Sequence, residues 1–300
     1  MKRTLKNVWS PQRRNRHDVD VYLPASYRTA GHRRYQVVYM QDGQNLSDPA
    51  TAFAGTWDLE PALERLAARG LEIIVVGVHH AGEERLAEYS PFPDRRLGGG
   101  EGESYLEFLV DTLKPRVDRL FRTRTHCDDT VIFGSSMGAL ISLYAFFRYP
   151  SVFGRAGAMS PSVWFAQGAL LDYIAAAKAP GGRVYLDVGT REGTGTVRNA
   201  RQLARLLVRK GFRRDTRTTR AASPKPRGCR ARRPRACSGG CRTRSARPLA
   251  APLAFRRAGR APRHGGPPRL PPQPRVEGAR GRSAWEATPG PSFVARFPWS

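Results

Sequence analysis

Cysteine is scarce in this chain. Its 300 residues hold four, Cys127, Cys229, Cys237 and Cys241, too few and too unevenly placed for a disulfide scaffold. Cys229, Cys237 and Cys241 contain no C-x-x-C pair and have only the distant His264 beside them, so no zinc site, and no metal or cofactor of any kind, is expected. No apolar run is long enough to cross a bilayer. No apolar segment follows the charged opening Met1-Lys2-Arg3-Thr4-Leu5-Lys6 in the way a signal peptide requires. The expectation is a soluble cytoplasmic protein that engages no membrane; the oligomeric state is left open.

Acidic residues are also few, and their scarcity is local. Residues 213–300 hold 22 of the 51 Lys and Arg but three of the 25 Asp and Glu. The net charge of +26 therefore divides into +19 for 213–300 and +7 for 1–212. The two parts need separate arguments.

Residues 1–212 alternate short apolar runs with helical patterns. Val19–Leu23 alternates like a strand and Pro24 stops it. Tyr35–Met40 is the next strand, running into the polar turn Gln41-Asp42-Gly43-Gln44-Asn45. Leu59–Arg69 reads as a helix ended by Gly70. Ile73–Val78 is apolar on both faces, the mark of a central parallel strand. A long loop, 79–102, follows, and loops of that length are usually functional or mobile. Ser104 is placed to cap a helix carrying Leu106, Leu109, Val110 and Leu113. Arg155–Met159 and Arg183–Val188 read as strands, and Gln167–Lys178 and Asn199–Lys210 as helices. This alternation predicts a mostly parallel sheet covered on both faces.

One stretch carries chemistry. Thr130-Val131-Ile132-Phe133 is a strand, Gly134-Ser135-Ser136-Met137-Gly138 reads G-x-S-x-G, and Ala139–Phe147 is an apolar helix. Strand, Gly-bounded turn and helix make a nucleophile elbow, with Ser136 lifted to the strand's carboxyl end. The amide of Met137 would supply half of an oxyanion hole. An oxyanion hole needs a second donor from another strand end. The turn after Met40 can provide it from Gly43 or Gln44, because Gly lets the backbone approach closely. His79 and His80 end the Ile73–Val78 strand on the same edge.

Several motifs then occur in the order and spacing of a known family. Asp42-Gly43-Gln44-Asn45-Leu46, Arg85 with Glu88-Tyr89-Ser90-Pro91, the elbow, and Ser160-Pro161-Ser162-Val163-Trp164 resemble the esterases of the α/β-hydrolase superfamily. That group includes enterochelin, feruloyl and S-formylglutathione esterases. The resemblance spans about 17–212 and implies an α/β-hydrolase fold. It also implies hydrolysis of a small-molecule carboxylic ester through an acyl-enzyme at Ser136. Ser47 departs from it, standing where the family tends to carry a bulky aromatic. The triad order in this fold is Ser, acid, His. Glu192, in the exit loop of the last strand, stands where similar esterases carry the acid, with Asp187 as the alternative. Asp42, Asn45, His79, Arg85, Tyr89 and Trp164 are the candidates for substrate contact. Arg85, Glu88 and Tyr89 serve equally well as buttresses of their loop, and a solvent-facing role for His79 and His80 stays open.

The resemblance ends near residue 213. The family's base is a histidine beyond the acid, in a Gly-x-His segment, and no such segment exists here. His264 is the one histidine after His126, flanked by Pro and Gly. The stretch 213–300 has 21 Arg, one Lys and 14 of the 24 Pro, with no strand or helical period, and disorder is expected there. Arg, Pro, Ala and Gly are the residues of GC-rich codons, so this is also the composition of a GC-rich gene read in the wrong frame. The chain is then an esterase-like domain, 1–212, that is incomplete at its C-terminal end and impaired by the missing histidine. The alternatives are a non-catalytic binding relative, or a basic tail that binds nucleic acid by counterion release.

Overall fold

The computed structural model describes residues 1–52, 55–189, 192–216 and 253–257. The chain opens with a hairpin of β1 (Lys2–Ser10) and β2 (Asn15–Tyr22). The sequence pattern anticipates only the second strand. In β1 Val8 and Ser10 alone are buried, and a bulge between Leu5 and Val8 breaks the alternation, so an edge strand is hidden behind its charges.

Next come β3 (Gln36–Gln41), α1 (Leu59–Ala67) and β4 (Ile73–Val78). The long loop is built rather than open. It contains α2 (Arg85–Glu88) and a small hairpin of β5 (Pro93–Asp94) with β6 (Gly98–Gly99), and Glu88, Tyr89 and Ser90 within it are fully buried. α3 (Gly102–Glu107) begins two residues before Ser104, with Glu101 at its cap position. It passes through a π-helical segment, Phe108–Leu113, into α4 (Lys114–Leu120). Then follow β7 (Thr130–Ser135), α5 (Met137–Arg148), β8 (Arg155–Met159), α6 (Ala169–Ala176) and β9 (Arg183–Asp187). α7 (Thr194–Arg209) starts five residues earlier than Asn199.

The central sheet runs β1-β2-β4-β3-β7-β8-β9 and continues through β11 (Leu253–Arg257) and β10 (Phe212–Thr216). The five strands β4-β3-β7-β8-β9 are parallel. This is the α/β-hydrolase architecture, and the period-two alternation of its strands makes two cores. On one face Val37, Tyr39, Ile74, Val76, Ile132, Ala156 and Val184 meet Leu109, Leu140, Leu143, Leu170, Leu203 and Leu207. On the other, Val38, Met40, Val75, Val131, Phe133 and Tyr185 meet Leu59, Ala62 and Leu66 of α1. Helices thus cover both faces.

Two short stretches of 213–300 fall within the described residues. The backbone of 213–216 ends β10, and β11 pairs antiparallel with β9. The outer edge of β9 carries a row of N–H and C=O groups that any extended backbone can satisfy, whatever its side-chain period. The rest of that stretch, with Cys229, Cys237, Cys241 and His264, lies outside the described residues.

Candidate active site

Parallel register decides what meets at the carboxyl edge of the sheet. Met40 pairs with Phe133, Gln41 with Val78, and Ser135 with Met159, which pairs in turn with Asp187. The turns after β3, β4, β7, β8 and β9 therefore leave the sheet side by side. They carry Asp42–Asn45, His79–His80, Ser136, Ser160–Ser162, and Gly189 with Glu192.

Ser136 is exposed and has φ 56° and ψ −118°, a conformation that costs a side-chain-bearing residue about 1–3 kcal/mol. The elbow is tight enough that a Cβ on Gly134 would lie 2.4 Å from the Gly138 carbonyl carbon, and one on Gly138 would lie 2.9 Å from Gln41 Cβ. Hydrogen bonds hold the strained residue from both sides. Its amide donates to Met159 O at 3.0 Å, and its carbonyl accepts from Leu140 at 3.1 Å and from Ser162 at 3.1 Å. Met137 opens α5, where backbone amides have no intrahelical acceptor.

The second turn begins at Asp42, which is left-handed at φ 56° and ψ 50°. Gly43 then packs directly on β4, where a Cβ would come within 2.4 Å of the Gly77 carbonyl carbon. Among the described residues the amides of Gly43, Gln44 and Met137 have no hydrogen-bond acceptor. The buried carboxamide of Gln44 has no partner either. Asn45, also buried, donates its amide to Asp42 O.

Asp42, Arg85 and Tyr89 form one support beneath this turn. Arg85 clamps the Asp42 carboxylate through Nε at 2.7 Å and a terminal nitrogen at 2.8 Å. Its guanidinium lies 5.0 Å from the centre of the Tyr89 ring. Burial by itself would lower the Arg85 pKa, but the Asp42 carboxylate overrides it and pushes it up. Tyr89 is fully buried, and its hydroxyl accepts from the Asp42 amide at 2.9 Å. Burial holds that hydroxyl protonated, far above the ordinary tyrosine range. Arg85 and Tyr89 both contact the Asp42 turn, as a buttress would. Glu88 anchors the same loop to β2, with Asn15 Nδ2 at 2.7 Å and His17 Nε2 at 3.2 Å. Burial works against its charge, yet the His17 and Asn15 contacts keep its pKa low.

His79 leans away from the elbow, its Nε2 3.1 Å from Asp20 Oδ2 on β2. His80 is half-buried, and burial lowers its pKa against the pull of Asp42. Glu192 is exposed, and its Oε1 accepts from Ser160 Oγ at 2.7 Å and from the Gly189 amide at 2.9 Å. Asp187 accepts from Tyr185 at 2.6 Å. Trp164 is 48% exposed beside the Ser160–Ser162 turn. His126 sits with Cys127 and Asp128 at the start of β7, the opposite edge of the sheet. His264, the late histidine, lies outside the described residues.

Two contacts escaped sequence reasoning. Gln41 accepts from the fully buried Tyr105 under the elbow, and Ser162 Oγ lies 3.0 Å from Ser136 Oγ. Only the second had a signal, because Ser162 belongs to a motif already singled out.

The sequence model of a family described as "Putative esterase" matches residues 10–222. Among curated proteins, the "Uncharacterized protein YbbA" of Bacillus subtilis is 30% identical over 208 residues, covering 65% of this chain and 79% of that one. A siderophore enterobactin esterase of Emericella nidulans is 34% identical over 82 residues, 27% of this chain and 26% of its own length. Among solved structures, the BES protein of Bacillus cereus superposes with TM-score 0.54 at 22% identity, covering 69% of this chain and 81% of that one. The enterochelin esterase of Shigella flexneri gives 0.56 at 21% identity, covering 69% and 49%. At these identities the structures speak to the fold. No helix among the described residues is long and apolar enough to cross a membrane.

Proposed function

This chain belongs to that family of ester hydrolases, and we propose that it is a serine carboxylic-ester hydrolase acting on small-molecule esters through an acyl-enzyme at Ser136. The observation that carries the reading is the exposed Ser136, held at φ 56° and ψ −118° at the first turn of α5. Strain of this kind is kept where a side chain must stand clear of its own backbone.

Ser136 Oγ attacks the ester carbonyl carbon, and the carbonyl electron pair moves to oxygen. The amides of Met137 and of Gly43 or Gln44 receive that oxyanion, and the positive end of α5 adds to their field. The Asp42–Arg85–Tyr89 support fixes the Gly43 turn, so the donors are in place before charge develops. The alcohol departs, and water releases the acid from Ser136. Glu192 orients the base that takes the Ser136 proton; Asp187 is the alternative for that task. The Gly-x-His segment that would carry this base in the family is absent from the sequence, and His264, the one histidine after His126, lies outside the described residues.

The test is labelling of the full chain with a fluorophosphonate. The expected outcome is a single adduct on Ser136, absent from Ser136→Ala. An adduct on another serine, or none, overturns the assignment.

A further inference from the structure

The turn Ser160-Pro161-Ser162 touches the nucleophile on one side and the candidate acid on the other, and no part of the reaction has yet used it. We propose that Ser162 is a catalytic residue whose hydroxyl donates a hydrogen bond to Ser136 Oγ as negative charge grows on that atom. The inference rests on Ser136 being the nucleophile.

The two hydroxyl oxygens lie 3.0 Å apart. Ser162 is 4% exposed, so water competes little for its hydroxyl. The same residue donates its amide to the Ser136 carbonyl at 3.1 Å, which locks it to the elbow twice. The turn itself is held rigidly. Ser160 has φ 43°, and Pro161 permits one φ region only. The Ser160 amide donates to Asp187 O at 3.0 Å, and its hydroxyl to Glu192 at 2.7 Å. A hydroxyl fixed in this way need not reorganise during the reaction.

In the attack the Ser136 Oγ–carbon bond forms, the Ser136 proton leaves to the base, and Ser162 keeps its own proton. Its bond to Ser136 changes from neutral to charge-assisted along the way. Such bonds are about twice as strong, so the gain favours the transition state over the ground state.

The experiment measures the second-order rate of fluorophosphonate labelling of the full chain against pH. In labelling, Ser136 Oγ bonds to phosphorus, fluoride leaves and the Ser136 proton is lost. Ser162→Ala should slow labelling roughly ten- to hundred-fold. It should also move the rise of rate to higher pH, because Ser136 then binds its proton more tightly. Ser162→Thr keeps the donor and should recover most of the rate. A purely structural role would lower the melting temperature without moving the pH profile. Labelling of Ser162→Ala within twofold of wild type, with the same pH profile, overturns the inference and leaves Ser136 standing as nucleophile. A wild-type chain that does not label at Ser136 overturns both. If Ser162→Ala does not fold, Ser162→Cys replaces it at similar volume with a weak donor, and wild-type labelling by that variant overturns the inference.

Discussion

Asp187 ends β9 beside the exit loop that carries Glu192. Burial pushes its carboxyl up from 3.8 to about 6; the Tyr185 hydrogen bond opposes the shift, and the Glu192 charge adds to it. The native state thus holds a proton that the unfolded chain has already released. Stability is therefore lost as pH rises from about 4 to about 6, and the full cost is present above that. Asp187→Asn should remove the cost while still accepting from Tyr185. The expected result is a urea midpoint above wild type at pH 7 and equal to it at pH 4. Equal midpoints at both pH values would show that Asp187 ionises normally. Asp20 behaves oppositely. Although burial disfavours its charge, His79 and Thr4 hold its pKa down at about 2, so it contributes stability that is lost as pH falls from about 4 to about 2.

Among the elements, β7, β8 and β9 set the spacing between Ser136 and Glu192. They are packed by a deliberate gap. Phe133 and Tyr185 stack at 6.2 Å between ring centres with 22° between their planes, and Gly157 on the intervening strand leaves the room. A Cβ there would fall 1.9 Å from Phe133 Cδ2, so the ring would have to move. Gly157→Ala should cost about 1–3 kcal/mol of stability, read from denaturant unfolding, and a change within experimental error would refute the packing argument. The loop 79–102 acts as an element too. Its helix α2 is fixed to β2 through Glu88 and to the β3 turn through Arg85, which explains how a segment rich in Gly and Pro supports the Gly43 turn.

At the scale of the whole molecule, two parts of unlike composition share one chain. The family match runs from 10 to 222, while the +19 charge belongs to 213–300. We propose that the family's Gly-x-His segment is encoded in another frame of the gene from about codon 213 onward. Nucleotide sequence decides this directly, because neither alternative frame encoding such a histidine would end the proposal. The restored protein should hydrolyse short-chain p-nitrophenyl esters at least about 1,000-fold faster than the present chain, since loss of a triad member removes several orders of magnitude. Normal turnover by the present chain, stopped by His264→Ala, would instead make His264 the base.

The sequence by itself determined the parallel α/β layering and the elbow. Both are local: apolar runs of strand length, and a Gly-x-Ser-x-Gly turn whose glycines must be small because Gly134 and Gly138 touch across it. The order of motifs was legible for the same reason, and it placed Ser136, the Gly43 turn and Glu192 at strand ends. Tertiary structure alone decided which polar groups meet. Arg85 reaches Asp42, Glu88 reaches His17, His79 turns to Asp20, and Ser162 finds Ser136. These partners are far apart along the chain, and they meet because β2 lies beside β4, and β7 between β3 and β8. Strand order is set by packing of whole layers, so no local pattern of residues contains it.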